Sequence, residues 1–466
     1  MEENNKARWA IGVLFIINVA FNFEAAMAEF LLPVLAEALT VPVEKSQIIL
    51  YCYYLAIIIV LAISLTSKSP LLTRVPGLII GGILLSMGTF LLATMIGVGI
   101  LEAVVVARIL QGAGVALIVT ATPTLIIHWR LSEFIRFSPF VLIPVSIGVG
   151  MLGGATLGAF AAELSAVSII LFTISIIIFS VLFIIPFVSI DSISGEFQSL
   201  PTPIHKWDFG GLLATCFSLL VIFVLSQLLS DGSYNLLSLF FCLGLVFVIY
   251  FLFKRSDRLS DYPVFDIYFL FQETNMIYML IMNLLSFSAT YVIVYVLPFY
   301  IYYEFLSSGV QLMLGGTIVF VPLGFVIGPL VFEAVVKTNI TKSFWVSGLV
   351  FFAAIGGFLL ASLTGSSWLL IFAGAMLGSA RGIFILPYNK LTLNSVPLHR
   401  IDEMSIYSVI SRYGGMAVGI LTGAGLVSLS GDLNTALLWA LGGGVLYMLA
   451  SLVFISKIND EWKCHV

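Results

Sequence analysis

Charge is what this sequence has least of. Of its 466 residues only 9% are Asp, Glu, Lys or Arg, against roughly 25% in an ordinary soluble domain. With 61% of the residues hydrophobic, 24 acidic and 20 basic side chains cannot cover a surface in water. A water-soluble globular fold is excluded, and the main solvent of the folded chain is lipid. There is no basic excess to suit a nucleic acid, because the formal net charge is −4 and the pI near 5.6. Cysteine is equally sparse. Cys52, Cys216, Cys242 and Cys464 are scattered without pairs or ligand spacing, which excludes a disulfide framework and a zinc site as organising features. The four histidines, His128, His205, His399 and His465, all fall between the long apolar runs, so none is available as a proton relay at the membrane centre.

What the chain has is apolar runs. A membrane span needs about 20 such residues, and fourteen runs of that kind occur, at 9–32, 46–66, 76–96, 101–127, 137–160, 166–188, 209–230, 234–253, 275–303, 308–335, 343–363, 367–388, 404–429 and 434–456. The first is too long for a signal-peptide core and has no evident cleavage site, so it reads as a retained span. Basic residues resist translocation. With both termini inside, Lys6, Arg8, Lys68, Arg74, Arg130, Arg136, Lys206, Lys254, Arg255, Arg258, Lys337, Lys342, Lys390, Arg400, Lys457 and Lys463 are cytoplasmic, and only Lys45 is outside. That asymmetry supports the division as well as the direction.

The longest polar break is 189–208, which contains DSISGEFQSLPTPIHKWD and reads as a solvated linker. The expected organisation is a six-span bundle over 1–188, a linker and two extra spans over 189–263, and a second six-span bundle with a tail over 264–466. Equal Gly-to-Pro separations, Gly114–Pro123 in span 4 and Gly378–Pro387 in span 12, suggest an internal repeat.

Ionisable groups within spans are costly, by about 2.5–3.5 kcal/mol on insertion scales, and usually face a cavity or a partner. In span 1, Asn18, Asn22 and Glu29 follow i, i+4, i+11 and share a stripe, whereas Glu24 lies about 200° around the helix from Asn22. The two carboxylates therefore occupy different faces. In span 4, Arg108 and Gln111 are neighbours at i, i+3, and Gly112, Gly114 and Ala116 leave a flank where another backbone can approach. The permanent charge of Arg108 needs a counter-charge, and a span-1 carboxylate is the obvious candidate. In span 9, Tyr291, Tyr295 and Phe299 share a face able to contact flat or cationic molecules; packing is the competing role. Arg381 in span 12 has Glu333 as a candidate partner, and Arg412 in span 13 is near enough to the mouth to snorkel.

The string Arg108-Ile-Leu-Gln111-Gly112-Ala-Gly114-Val-Ala116 resembles the RxxQGxGaa motif of span 4 in the major facilitator superfamily, especially its drug:proton antiporters. FEAAMAEFLLP is similar to the span-1 signature of the fourteen-span branch, with Glu24 at its acidic position and Pro33 at its proline. WDFGGLL from Trp207, VFDIYFL from Val264, LPFY from Leu297 and RYGGMAVG from Arg412 resemble later pieces of that branch. Two motifs depart from the pattern. The span-5 antiporter motif survives only as a glycine flank, Gly150, Gly154 and Gly158, with Ala155 where proline is expected, and the loop between spans 2 and 3 is reduced to LTSKSPLLTR.

The resemblance implies an all-α polytopic protein of the major facilitator fold, multi-pass in a bacterial inner or plasma membrane. It also implies proton-coupled export of lipophilic or amphipathic small molecules by a monomer, with no cofactor, no metal and no nucleic-acid partner. The expected proton-coupling residues are Glu24 and Arg108, which the motifs place, with Glu29 from the span-1 stripe; the expected substrate contacts are Gln111 and Arg412, which the motifs place, with Asn22, Tyr291 and Tyr295 from helical spacing. No phosphate-binding glycine loop, HExxH helix or Ser/His/Asp arrangement supports ATP-driven transport or hydrolysis. A dedicated exporter of a metabolite or siderophore and a non-transporting sensor or scaffold remain as alternatives.

Overall fold

The computed structural model describes residues 2–42, 45–67, 75–128, 142–164, 167–182, 208–230, 274–305, 320–330, 340–394 and 400–457, with 244, 247–252, 254–256, 266, 270 and 396. The helices are α1 (Glu2–Phe30), α2 (Leu32–Ala38), α3 (Gln47–Ser67), α4 (Val75–Met95), α5 (Leu101–His128), α6 (Leu142–Leu164), α7 (Val167–Leu182), α8 (Phe209–Ser230), α9 (Thr274–Phe305), α10 (Phe320–Leu330), α11 (Ile340–Thr364), α12 (Ser367–Asn394), α13 (Ile401–Ser430) and α14 (Leu433–Lys457). Among the described residues nine helices are long and apolar enough to cross a membrane, and α6, α7, α8 and α10 contribute shorter apolar stretches. Large apolar side chains such as Ile169, Leu349, Leu363, Trp368 and Leu446 stand on the outside, as a lipid-facing surface requires. The 189–207 linker, the loop at 68–74 and Glu333 lie outside the described residues.

The first expected span is two helices. Pro33 has no N–H to give to the carbonyl of Glu29, and the break falls at Leu31, after which α2 continues with Pro33 in its first turn. At the other end of the chain, Asp432 accepts the Thr435 N–H at 2.7 Å at the start of α14, and the hydrogen bonds from Thr435 hold its carboxyl below the ordinary range.

Two glycine stripes organise the bundles. Gly150 and Gly154 of α6 lie so close to α1 that a Cβ would run into the carbonyl oxygens of Val19 and Phe23, while Gly158 has ordinary clearance from Met27. Gly415 and Gly419 of α13 meet the carbonyls of Leu284 and Ser288 on α9 in the same way. Helices 1 and 6 are thus locked like helices 9 and 13, with the same spacing of four residues. This is better evidence of a repeat than the Gly-to-Pro separation. Gly378 seats against Val321 of α10, and its counterpart by contact is Gly112, which meets the Tyr53 carbonyl on α3; Gly114 instead faces Gly81 and Leu85 on α4. The halves meet where α3 packs on α13 and where α6 packs on α12. Helix α8 packs against α13 and α3, and the Tyr51 hydroxyl of α3 donates to the Leu219 carbonyl at 2.5 Å.

Gly378 tests this packing. Gly378→Ala is expected to sharply reduce the yield of monodisperse protein after detergent extraction, because the added methyl meets backbone that cannot rotate away. Gly442→Ala, with nothing within 4 Å, should match the wild type, and equal behaviour of the two would refute the close contact.

Candidate functional site

Between the halves lies a cavity. Helix α1 presents Asn18, Phe21, Asn22, Ala25, Ala26 and Glu29 to it, one stripe at the helical period. Helices α5 and α6 add Thr122, Pro123, Ile147 and Met151, and the second half adds Phe287, Tyr291, Phe325, Arg381, Asn389, Ser408, Arg412 and Tyr413. No described residue of α8 lines it. Asn18 donates to the Leu14 carbonyl at 2.7 Å and to the Thr122 hydroxyl at 2.8 Å, so its amide fixes α1 against α5. The walls are mostly apolar, with few polar groups, as in small-molecule pockets generally.

Glu24 faces away from the cavity, into the first bundle. Its Oε1 accepts from Arg108 Nη1 at 2.6 Å, and the two side chains are 0% and 1% exposed. Arg108 also donates to Gln111 Oε1 at 3.0 Å and to the Ile49 carbonyl at 3.3 Å, and its guanidinium lies 5.0 Å from the centre of the Tyr53 ring. Gln111 in turn donates to the Thr89 hydroxyl at 3.2 Å. One network therefore ties α1, α3, α4 and α5 together. Glu24 Oε2 is left with no hydrogen bond, so this buried charge pair is only partly satisfied, an arrangement whose desolvation cost is high.

Glu29 sits at the seam. It accepts a hydrogen bond from the Tyr54 hydroxyl of α3, while its Oε2 has no partner. The Tyr54 ring meets Tyr291 of α9 edge-on at 6.3 Å between centres and Tyr413 of α13 at 5.8 Å. Farther along, the Tyr302 hydroxyl of α9 donates to Glu37 Oε2 at 3.0 Å. The halves are therefore in contact at the end where α1 finishes.

Several expected site residues fall elsewhere. Gln111 does not line the cavity; it braces Arg108 behind the wall. Tyr295 shares a face with Tyr291 by spacing but does not line the cavity either, because its ring covers Gly423 of α13. Arg412 does not snorkel. It is buried, lines the cavity, and donates to Asn389 Oδ1 at 3.3 Å. The glycines Gly112, Gly114, Gly150 and Gly154 act in helix packing. Sequence reasoning missed Tyr54, Phe287 and Asn389, none of which carries a charge or belongs to a motif.

The chain matches no family model and no curated protein. Its structure is similar to the crystal structure of the human organic anion transporter MFSD10 (TETRAN), with a TM-score of 0.61 and 14% sequence identity over 96% of this chain and 99% of that one. The chain has the major facilitator fold. It is an integral, multi-pass membrane protein. In the major facilitator fold this cavity lies between two bundles related by a repeat, and the paired contacts of α1 with α6 and α9 with α13 make that repeat visible here.

The two tyrosines separate cavity contact from packing. Tyr291→Ala is expected to weaken binding of flat aromatic compounds about tenfold more than binding of aliphatic ones, as loss of ring contact predicts. Tyr295→Ala should lower thermal stability without that selectivity. Parallel losses for both variants in a binding titration would assign Tyr291 to packing as well.

Proposed function

We propose that this chain is a secondary transporter that exports amphipathic small molecules by alternating access, using protons as the coupling ion. The observation that carries the reading is a mostly apolar cavity between the two halves, with one α1 carboxylate on its wall and a second buried behind it against Arg108. Both termini are cytoplasmic in this proposal, so the end held by Tyr302 and Glu37 is external and the cavity loads from the cytoplasm. The protein works as a monomer in a bacterial inner or plasma membrane, with substrate, protons and lipid as its partners.

The coupling follows from the electrostatics. Protonating Glu24 neutralises the ion-pair partner of a buried guanidinium, which leaves Arg108 an acceptor oxygen but no opposite charge at 2.6 Å, a costly state for a buried cation. A bundle under that penalty repacks, which is how a proton shifts the balance between inward- and outward-facing states. Glu29, bonded to Tyr54 at the contact of the two halves, senses whether the external end is closed. The test is flux in proteoliposomes across a panel of amphipathic compounds. An imposed pH gradient should drive uphill movement of at least one of them, and a protonophore should abolish it. Movement indifferent to the gradient would refute the coupling.

A further inference from the structure

Arg381 and Arg412 are 2% and 6% exposed, and both line the cavity from the second half. Arg381 donates to the Ser286 hydroxyl at 2.6 Å and lies over the Phe287 ring at 3.2 Å from its centre and over Phe384 at 5.1 Å. Arg412 approaches the same Phe287 ring at 5.6 Å. Two guanidinium groups thus share one aromatic platform. Among the described residues neither forms an ion pair with an acid, unlike Arg108 with Glu24 and Arg400 with Asp266. Arg381 Nε and Nη2 and Arg412 Nε have no hydrogen-bond acceptor among the described residues.

Two permanent, mutually repelling charges with unused donors are expensive to bury. The acid on the opposite wall, Glu29, accepts from Tyr54 through one oxygen, and its other oxygen reaches neither arginine. Guanidinium forks match carboxylate, sulfonate and phosphate oxygens in geometry and charge, and stacking on Phe287 holds them in place for such a group. The surrounding wall, with Val321, Phe325, Leu377 and Ile385, is apolar. We infer that Arg381 and Arg412 form an anion-binding subsite and that the compound carried is an organic anion, its acidic group on the arginines and its apolar body against that wall. This rests on the reading of the cavity as the transport site and names the class of substrate it takes.

The test is a binding titration on the full-length protein in nanodiscs. The ligands are arylalkyl carboxylates, sulfonates and phosphate monoesters, each paired with its neutral amide and its amine, with inorganic phosphate included. Acids should bind at least about tenfold more tightly than their amides, as charge-assisted bonds predict, with amines and inorganic phosphate weaker still. Arg381→Gln and Arg412→Gln should each weaken acid binding more than amide binding and so remove most of that preference, and Arg381→Lys should keep part of it. Amides or amines that bind the wild type as well as the acids do would overturn the inference, whether or not the variants fold. So would an acid preference that survives in the double Gln variant. Proton-driven export of amines with exclusion of acids would sink this inference and leave the export reading standing. Tight acid binding with no flux in proteoliposomes would do the reverse, and absence of binding by every ligand would count against both.

Discussion

Arg108→Met is expected to destabilise the folded protein, by up to about 3–5 kcal/mol at a pH high enough to keep Glu24 ionised and by less where Glu24 takes up a proton, because it leaves Glu24 buried with nothing opposite it. Glu24 is fully buried, and Arg108 is its only charged partner among the described residues. Two charge-assisted hydrogen bonds to neutral acceptors go as well, to Gln111 and to the Ile49 carbonyl, which leaves Gln111 Oε1 to find another donor. The diagnostic is the double variant Arg108→Met, Glu24→Met. Replacing a buried ion pair by apolar groups of similar volume is often neutral or stabilising, so the double variant should recover most of the loss in a thermal-unfolding assay. Additive losses would mean that the two side chains do not interact as the geometry requires. If Arg108→Met alone were as stable as the wild type, the pair would contribute nothing to the fold. A pair of this kind costs stability in one protonation state, which is what a proton-coupled device needs.

The helix framework is legible in the sequence because hydropathy reports burial in lipid directly. The expected 101–127 run is Leu101–His128, and 434–456 is Leu433–Lys457. Ends are less legible. Helix α12 continues to Asn394, past the expected 388, because hydropathy marks where polar residues begin whereas the helix is ended by its own hydrogen bonds. The stripe Asn18, Asn22 and Glu29 follows from 100° per residue alone and is on the cavity, and the same arithmetic puts Glu24 behind it. Tyr295 misleads because spacing places a residue on a face without saying how far along the helix the cavity extends; at that level α13 has closed in, with Gly423 against the ring. Arg381 does carry a signal. It is a lone arginine inside a long apolar helix, and such residues mark functional positions by default. Tyr54 and Phe287 carry none, since a tyrosine or phenylalanine in a span is ordinary until a three-dimensional neighbour such as Glu29 or Arg381 defines it.

Coupling of protons to the cavity through the α1 carboxylates is tested most directly by comparing uphill flux with counterflow in Glu24→Gln and Glu29→Gln proteoliposomes. Glutamine keeps an acceptor oxygen for Arg108 Nη1, so Glu24→Gln should remain folded, yet it cannot gain or lose a proton. Accumulation driven by a pH gradient should vanish in Glu24→Gln, while exchange of labelled for unlabelled substrate, which needs only the alternating cavity, should persist. Wild-type accumulation in Glu24→Gln together with its loss in Glu29→Gln would move the coupling to the cavity-facing acid, and wild-type accumulation in both variants would contradict carboxylate coupling altogether.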